Sequence, residues 1–298
     1  MRARPESYTT TRIETSAGAT PLGSGSGFVY QIASAYFLVT NWHVVTGRNP
    51  ITLEPISKNG LCPDRLSFHV TVRYLQSTAE SGSTVHKIHF RPIEIDLAQH
   101  TESDAIWWEG VGEGYIDDIA VVPLERFIPE LADEATDLWA LSGGQVALVN
   151  ADSDQAYAVN MLPEVSETVF VLGYPQGQSF QGVFPVWKRG SIASEPLFGT
   201  TVDGVTHASV VYVDASTNPG MSGAPVLYFG DRLWTIEGMA MEAEPQKKPI
   251  LVGVYAGRDG VTSLENSMGL GRVWKASVLE GLLFQSKRRH GGSYLRRG

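Results

Sequence analysis

The chain has 298 residues, of which 43% are hydrophobic, and its formal net charge is −9 at pH 7. This length supports one compact unit with a sizeable core, because all-β folds often use about 200–250 residues as one domain. The negative charge excludes general nucleic-acid binding, which needs a basic surface to displace counterions from phosphates. The 31 glycines and 16 prolines are spread along the chain, which is typical of many short strands joined by turns.

The cysteine content and the N-terminus indicate a cytoplasmic protein without membrane contact. The single cysteine, Cys62, excludes an intrachain disulfide, and we interpret it as a structural thiol. Residues 1–7 lack the apolar core of a signal peptide, and no run reaches the roughly 18 apolar residues of a transmembrane helix. The basic C-terminal segment, residues 286–298, is predicted as a disordered tail, with a docking site for an acidic partner as the alternative.

Apolar and β-branched runs predict a series of strands along the chain. The first of them follows a glycine-rich stretch, residues 23–27, and others flank a loop rich in glycine and proline. Near the C-terminus, the spacing of apolar residues over 271–284 predicts one amphipathic helix. The predicted strands cover residues 35–40, 66–72, 116–124, 168–173, 210–213, 225–229 and 250–255.

Two motifs place polar side chains against these strands. Residues 39–45, Val-Thr-Asn-Trp-His-Val-Val, put His43 at the end of an apolar strand. In isolation, a satisfied core histidine is the more common interpretation of such a position. Asp117 and Asp118 open the strand Ile-Ala-Val-Val, where a carboxylate is costly unless a hydrogen bond compensates for its burial. In isolation, the pair could equally cap the strand at the surface.

The third motif is the most specific. Residues 214–225 read Asp-Ala-Ser-Thr-Asn-Pro-Gly-Met-Ser-Gly-Ala-Pro, with glycines on both sides of a Met-Ser pair. Such a loop can turn tightly, expose the hydroxyl of Ser222 and direct successive backbone N–H groups into one concavity. An oxyanion needs N–H groups of this kind. An ordinary turn with a surface serine is the alternative.

Together the three motifs resemble those of the trypsin-like (chymotrypsin-fold) serine peptidases. The match is closest to the bacterial high-temperature-requirement type, with its patterns T-N-x-H-V-V, D-[IL]-A-V and D-A-x-x-N-P-G-x-S-G-x-P. Residues 173–177, Gly-Tyr-Pro-Gln-Gly, and residues 190–192, Gly-Ser-Ile, match further patterns of the family. The order His, Asp, Ser is the one expected for this fold. We expect no PDZ module after the peptidase unit, although such relatives usually carry one.

The resemblance implies an all-β fold: a double six-stranded antiparallel β-barrel of the chymotrypsin type, with a C-terminal helix. Residues 1–22 would form an N-terminal extension, residues 23–285 the peptidase domain, and residues 286–298 the tail. The boundary between the two barrel halves would lie near residues 130–165. The segment between His43 and Asp118, which includes residues 47–114, is long, and this length indicates an insertion near the substrate cleft or a surface for a partner.

The resemblance also implies catalytic roles. Ser222 would be the nucleophile, His43 the general base and Asp118 the carboxylate that orients it. Asp118 is preferred to its neighbour because the family's aspartate directly precedes the Ile-Ala-Val strand. The oxyanion hole would be formed by the backbone N–H groups of Gly220 and Ser222, with Met221 between them.

The substrate site is implied by the same resemblance. The strand from residue 255 to residue 258 would pair with an extended polypeptide substrate. Trypsin carries an aspartate six places before its serine, and this chain has Ser216 there. We therefore expect an uncharged residue before the cleaved bond (P1), unless Arg258 enters the pocket or reaches an acidic group. The implied substrate-binding residues are Ser216, Thr217, Tyr255, Ala256, Gly257 and Arg258.

No metal or organic cofactor is predicted. His86 and His89 would lie on opposite faces of one strand, which is poor geometry for a shared metal ion. The resulting prediction is a serine endopeptidase that cleaves polypeptides through an acyl-enzyme intermediate. We expect it to be latent or regulated by a protein partner, because a cytoplasmic peptidase that is always active would endanger its host. A catalytically silent peptide-binding or scaffolding module on the same fold is the alternative.

Overall fold

The fold is taken from a computed structural model, and its main elements are antiparallel strands. In the part of the chain that the structure describes, no helix is long and apolar enough to cross a membrane. The described residues are 3–78, 84–97, 106–111, 116–132, 136–142, 146–149, 156–159, 163–202, 205–207, 209–230, 233–236, 239–242, 249–258, 269–284 and 289–290.

Three short helices are described: α1 (Pro5–Thr9), α2 (Trp42–Thr46) and α3 (Ala276–Phe284), besides two 3₁₀ turns at Pro129–Ala132 and Pro175–Gly177. The strands are β1 (Thr10–Ala17), β2 (Thr20–Ile32), β3 (Ala35–Thr40), β4 (Arg65–Thr78), β5 (Thr84–Asp96), β6 (Trp108–Val111), β7 (Ile116–Pro123), β8 (Thr136–Leu138), β9 (Leu141–Ser142), β10 (Val146–Val149), β11 (Ala156–Val159), β12 (Thr168–Gly173), β13 (Val186–Ile192), β14 (Thr200–Val202), β15 (Val205–His207), β16 (Val210–Ala215), β17 (Pro225–Tyr228), β18 (Leu233–Ile236), β19 (Met239–Glu242), β20 (Ile250–Arg258), β21 (Gly271–Lys275) and β22 (Arg289–His290).

The strands form two large units. In the N-terminal half, ten strands form one sheet with the order β22-β6-β7-β3-β2-β1-β4-β5, to which β8 adds at β4 and β9 at β2. In the C-terminal half, six strands close a barrel in the order β12-β13-β16-β21-β20-β17. Three two-stranded hairpins, β10-β11, β14-β15 and β18-β19, complete the described sheets.

Apolar side chains fill each half and the space between them. Leu38, Leu66 and Trp107 belong to the core of the N-terminal half, where all three are fully buried. A separate cluster fills the barrel. A third cluster joins residues of both halves to α3, so helix and strands share one apolar interface. This shared core fixes the two halves against each other, and the functional loops meet at their junction.

The structure confirms the all-β trypsin-like fold, the closed six-stranded barrel and the C-terminal helix. The N-terminal half differs in detail, because its described strands form a ten-stranded sheet rather than six strands in a closed path. The predicted helix over 271–284 begins only at Ala276. Residues 271–275 instead form β21, because the barrel needs a strand between β16 and β20, and Val273 is fully buried there.

Both terminal segments contribute to the N-terminal sheet. Of residues 10–22, assigned above to an extension, residues 10–17 form β1 and residues 20–22 begin β2, and β1 pairs with both β2 and β4. Of the basic tail, Arg289–His290 pairs with β6 as an antiparallel strand. The predictions for residues 286–288 and 291–298 lie outside the described residues.

Candidate active site

His43 lies on α2, a single helical turn that directly follows β3. The turn ends at Gly47, whose φ of 65° is left-handed and whose N–H donates to the His43 carbonyl at 2.9 Å. At the other end, the buried indole of Trp42 donates to Glu109 Oε2 at 2.7 Å. The turn is therefore fixed at both ends, and the imidazole is held at the edge of the core with 19% of the side chain exposed.

The carboxylate of Asp118 is buried, with 3% of the residue exposed, and both of its oxygens contact His43. The backbone N–H of His43 donates to Asp118 Oδ1 at 2.9 Å, and Nδ1 of the ring lies 2.8 Å from Oδ2. Asn41 donates to the Asp118 carbonyl at 2.6 Å and so fixes the strand itself. Because an ionised carboxylate only accepts hydrogen bonds, this geometry favours a proton on Nδ1 and leaves Nε2 as an acceptor.

The neighbouring Asp117 has a different environment. Successive side chains of a strand point to opposite faces, and Asp117 packs against Gly110, where an added Cβ would come within 2.3 Å of its Oδ2. Burial raises the pKa of Asp117 from 3.8 to about 6. No hydrogen bond or ion pair joins it to His43 among the described residues, so the carboxylate that reaches the imidazole is that of Asp118.

Ser222 lies in the loop between β16 and β17, and two glycines determine the path of this loop. Gly220 has a φ of 93° and Gly223 a φ of 88°, a region that other residues rarely adopt. A Cβ on Gly223 would lie 2.0 Å from the Ser26 carbonyl oxygen, and one on Gly220 would lie 2.5 Å from the Tyr174 carbonyl oxygen. Only glycine fits at either position.

A buried serine outside the predicted site supports this loop. The hydroxyl of Ser26 donates to the Gly220 carbonyl at 2.8 Å and accepts from the Tyr174 N–H at 3.0 Å. The backbone N–H of Ser26 donates to the Ser222 carbonyl at 2.7 Å. Ser26 therefore connects β2 of the N-terminal half to the serine loop of the barrel.

The peptide bonds beside Gly220 are held in one orientation. The Pro219 carbonyl accepts a hydrogen bond from the Gln176 N–H at 2.6 Å. Because the C=O and N–H of a trans peptide point in opposite directions, the Gly220 N–H points away from Gln176. Neither this N–H nor that of Ser222 donates to another group within the described chain. Two backbone donors are thus available beside the serine hydroxyl.

His43 and Ser222 line one cleft of about 250 Å³. No hydrogen bond joins their side chains in the described part of the chain. Such contacts are often loose in a ligand-free enzyme and tighten when substrate binds. The other cleft walls are mainly apolar and include Leu22, Val44, Ile56, Leu61 and Pro63.

Five of the six predicted substrate-binding residues lie together on the other side of Ser222. An added Cβ at Gly257 would lie 3.9 Å from Ser222 Oγ, so β20 runs beside the serine. The hydroxyls of Tyr255 and Thr217 are buried and bonded to each other. Burial raises the pKa of Tyr255 above its usual value.

The remaining predicted residues surround this pair. Ala256 is buried, and Arg258 is exposed but donates to the Thr217 hydroxyl at 3.3 Å. Ser216 is exposed to solvent, and no side-chain hydrogen bond joins it to the others within the described residues. Thr217, and not Ser216, therefore contacts Tyr255 and Arg258 among the described residues.

Sequence reasoning missed several supporting residues. Ser26 belongs to the glycine-rich stretch, and Tyr174 to the Gly-Tyr-Pro-Gln-Gly motif, but neither was given a role. Glu109 is fully buried, and its Oε2 accepts from the indoles of Trp42 and Trp107. A glutamate directly after two tryptophans, in the sequence Trp-Trp-Glu, was the available signal. Among the described residues, no group of His, Cys, Asp and Glu side chains is placed to hold a metal ion.

These features define a β-barrel protein in which a histidine–carboxylate pair faces a serine and two backbone donors. The model of the trypsin-like peptidase domain family matches residues 25–233. The chain belongs to this family. A comparison with curated protein sequences finds no match.

Solved structures similar to this chain include proteases from bacteria. One is an inactive form of Rv3671c from M. tuberculosis, with 16% identity over 93% of this chain and 86% of that chain, and a TM-score of 0.45. A serine endoprotease from Yersinia pestis has 15% identity, a TM-score of 0.45, and coverage of 94% and 62%. The HtrA-type protease AlgW with a decapeptide has 14% identity, a TM-score of 0.43, and coverage of 94% and 65%. The chain thus spans less than two thirds of the latter two proteins.

Proposed function

We propose that the protein is a serine endopeptidase that cleaves polypeptides through an acyl-enzyme intermediate. Ser222 Oγ attacks the carbonyl carbon of the scissile bond while His43 Nε2 accepts its proton. The same proton then passes to the leaving amine, and water repeats the sequence to release the acid. Asp118 stays ionised and stabilises the imidazolium that forms.

The contact of His43 with Asp118, opposite Ser222 in one cleft, is the observation that carries this proposal. Nδ1 lies 2.8 Å from the carboxylate, so the ring is oriented with Nε2 available for the serine. A buried carboxylate at this position is costly without a partner, and the imidazolium is a partner that appears only during the reaction. A protein that only binds peptides would not need this pair.

The backbone donors support the same reaction. The oxyanion of the tetrahedral intermediate would accept hydrogen bonds from the N–H groups of Gly220 and Ser222, with buried Met221 between them. Removal of one such donor typically costs about 10²–10³ in rate. Their orientation is fixed before substrate arrives, so no reorganisation is needed when charge develops.

We further propose that the resting enzyme is latent or regulated by a protein partner. This rests on the expectation that a peptidase that is always active would endanger its host. The missing hydrogen bond between His43 and Ser222 is compatible with it, because substrate or a partner would bring the two side chains within hydrogen-bond reach. The purified protein should then digest casein slowly and accelerate when a partner or a specific peptide binds. The cytoplasmic location stays a prediction from the sequence.

Covalent labelling by a fluorophosphonate probe tests the proposal. We expect the wild-type protein to be labelled and the Ser222→Ala and His43→Ala variants to remain unlabelled. Ser57→Ala removes another serine hydroxyl from the same cleft and serves as the matched control, which should be labelled like the wild type. Circular dichroism spectra would show that the unlabelled variants are folded.

The alternative function predicts a different result. A silent peptide-binding module would leave the wild type unlabelled even with casein or a candidate partner present, while peptides still bind to the cleft. Labelling of both the wild type and Ser222→Ala would also contradict the proposal, because the reactive hydroxyl would then lie elsewhere.

A further inference from the structure

Arg258 spans the space between the two walls that flank Ser222. One wall is β20, which carries Arg258 at its end, and the other is the segment from Ala215 to Thr217. The guanidinium crosses from the first wall to the second, where Nε donates to the Thr217 hydroxyl at 3.3 Å and Nη2 to the Ala215 carbonyl at 3.4 Å. It therefore bridges the two segments at the position where the family resemblance places the P1 pocket, beside the serine.

The contacts of Arg258 are long and electrically neutral. Typical N–H···O distances are about 2.7–3.2 Å, and both bonds of this guanidinium are longer. No carboxylate among the described residues lies within ion-pair distance of it. An arginine has five N–H donors, and these two bonds leave the other three without a protein acceptor in the described chain. The fork formed by Nη1 and Nη2 is thus open to a ligand.

The chemistry of this fork identifies the ligand. A planar guanidinium matches a carboxylate with two parallel hydrogen bonds, and such charge-assisted bonds are roughly twice as strong as neutral ones. The neighbouring Thr217 hydroxyl, held by Tyr255, keeps Nε in place and leaves the end of the guanidinium free. If Arg258 gave up one of its two long neutral contacts and formed a bidentate ion pair with a ligand carboxylate, binding of that ligand would be favoured.

We propose that Arg258 makes the enzyme select an acidic residue, glutamate or aspartate, immediately before the cleaved bond. This inference rests on the proposed function, because it assigns the residue whose carbonyl Ser222 attacks. It replaces the expectation of an uncharged residue, which followed from Ser216 alone. Ser216 is exposed, whereas the guanidinium donates to the Thr217 hydroxyl and to the Ala215 carbonyl. Arg258 is thus the residue that determines specificity at P1.

The test uses peptidyl diphenyl phosphonates that differ only at P1: glutamate, aspartate, glutamine, alanine, leucine or lysine. The readout is the rate constant for covalent labelling of the full-length protein. Glutamate and glutamine have nearly the same shape, so their rate ratio isolates the effect of charge. We expect the glutamate probe to react about 10-fold faster than the glutamine probe, or more, in the wild type.

Three variants sharpen the measurement. Arg258→Ala should reduce the glutamate-to-glutamine ratio to about one while the alanine probe still reacts, and Arg258→Lys should keep part of the ratio because a point charge lacks the fork. Arg258→Glu should shift the preference to the lysine probe. Arg65→Ala, which removes an exposed cation from the N-terminal half, is the matched control and should leave the ratio unchanged.

The outcomes separate this inference from the proposed function. Labelling by the alanine or leucine probe without a preference for acid would overturn the acidic pocket and leave the serine peptidase intact. Faster labelling of Arg258→Ala by the leucine probe, without acid preference in the wild type, would show that Arg258 only blocks the pocket. If neither these probes nor a fluorophosphonate labelled the wild type, even with casein or a candidate partner present, the proposed function would fail and this inference with it.

Discussion

The two halves of the molecule contribute to the site by different physical means. The N-terminal sheet supplies ionisable side chains, His43 and Asp118, which are held by short hydrogen bonds within a buried setting. The C-terminal barrel supplies backbone, since its glycines at 220 and 223 set the path of the serine loop through φ values and close approach. The contribution of the N-terminal half to the site therefore depends on which ionisable side chains it carries. The contribution of the barrel depends on the absence of side chains at its two glycines.

This difference predicts that substitutions in the N-terminal half change protonation states, whereas substitutions in the barrel loop change the position of backbone donors. A change of charge that keeps the shape of the side chain, such as Asp118→Asn, should act mainly on the protonation state of His43. A single added methyl group in the barrel loop moves the backbone and displaces the donors. A substitution at Ser26 should act on geometry although the residue belongs to the N-terminal half, because its side chain orients the backbone of the serine loop in the barrel.

The largest expected effect is on the carboxylate beside the histidine. Asp118→Asn should lower kcat about 10⁴-fold at pH 7, because an amide that donates towards Nδ1 favours the wrong tautomer. The measurement is kcat on a fluorogenic peptide, with the unfolding midpoint recorded in parallel. Asp117→Asn is the matched control, since it makes the same change one residue away on the opposite face, and kcat should change little. Equal losses in both variants would contradict the assignment of Asp118.

The second-largest effect on kcat is expected in the barrel loop. Gly220→Ala should reduce kcat by about 10²–10³, because the new methyl would lie 2.5 Å from a backbone oxygen and would displace one oxyanion donor. Gly182→Ala is the control: its φ is also positive, at 78°, but nothing lies within 4 Å of the added Cβ. That variant should lose only about 1–2 kcal/mol of stability and keep its kcat. Similar loss of kcat in the two variants would mean that backbone strain, and not the donor position, matters.

A third prediction concerns the connection between the halves. Ser26→Ala leaves the Gly220 carbonyl and the Tyr174 N–H without their buried partner, so the loop should shift away from its productive position. We expect kcat to fall about 10-fold with KM unchanged, because Ser26 orients donors that act in the transition state and does not contact the substrate. Ser24→Ala, two residues away and exposed, should behave like the wild type. A rise in KM at constant kcat would instead indicate a role for Ser26 in substrate binding.

Sequence patterns predicted four of the six barrel strands, β12, β16, β17 and β20, because these are short, apolar runs bounded by turns, but they did not predict β13, which carries Lys188 and Arg189. They failed at residues 271–275, where valine and tryptophan fit either a helix or a strand. Barrel closure decides between the two, since β21 pairs with both β16 and β20. That information lies in residues distant along the chain and is absent from any local window.

Only the part of the site that is encoded in local motifs could be predicted from the sequence. His43, Asp118 and Ser222 stand in short motifs with fixed neighbours, so a resemblance could carry them over one by one. The support around them is not local: Ser26 lies about 200 residues from the loop that it holds, and Glu109 is 67 residues from Trp42. Arg258 was recognised as a residue of interest, but only its contacts across the pocket indicate which substrate it would select.

The smallest expected effect is a pH-dependent change in stability, and it distinguishes the two neighbouring aspartates of β7. Burial raises the pKa of Asp117 to about 6, above the value of 3.8 that it has when unfolded. The folded state therefore binds this proton more tightly than the unfolded state does. The contribution of the protonated Asp117 side chain to the free energy of unfolding is present below about pH 4 and is lost as the pH rises through 6.

Asp117→Asn should remove this loss, because the amide stays neutral at every pH. We expect the variant to be more stable than the wild type by about 1 kcal/mol at pH 7 and nearly equal to it at pH 4, after allowance for solvent around a side chain that is not fully buried. Urea unfolding at pH 4, 5, 6 and 7 measures the difference, and subtraction of the two curves removes the titration of all other groups. A constant difference across these pH values would show that Asp117 keeps its ordinary pKa in the folded protein. A difference that grows with pH would show that the N-terminal sheet tolerates one half-buried carboxylate, without a partner among the described residues, directly beside the one that it pairs with His43.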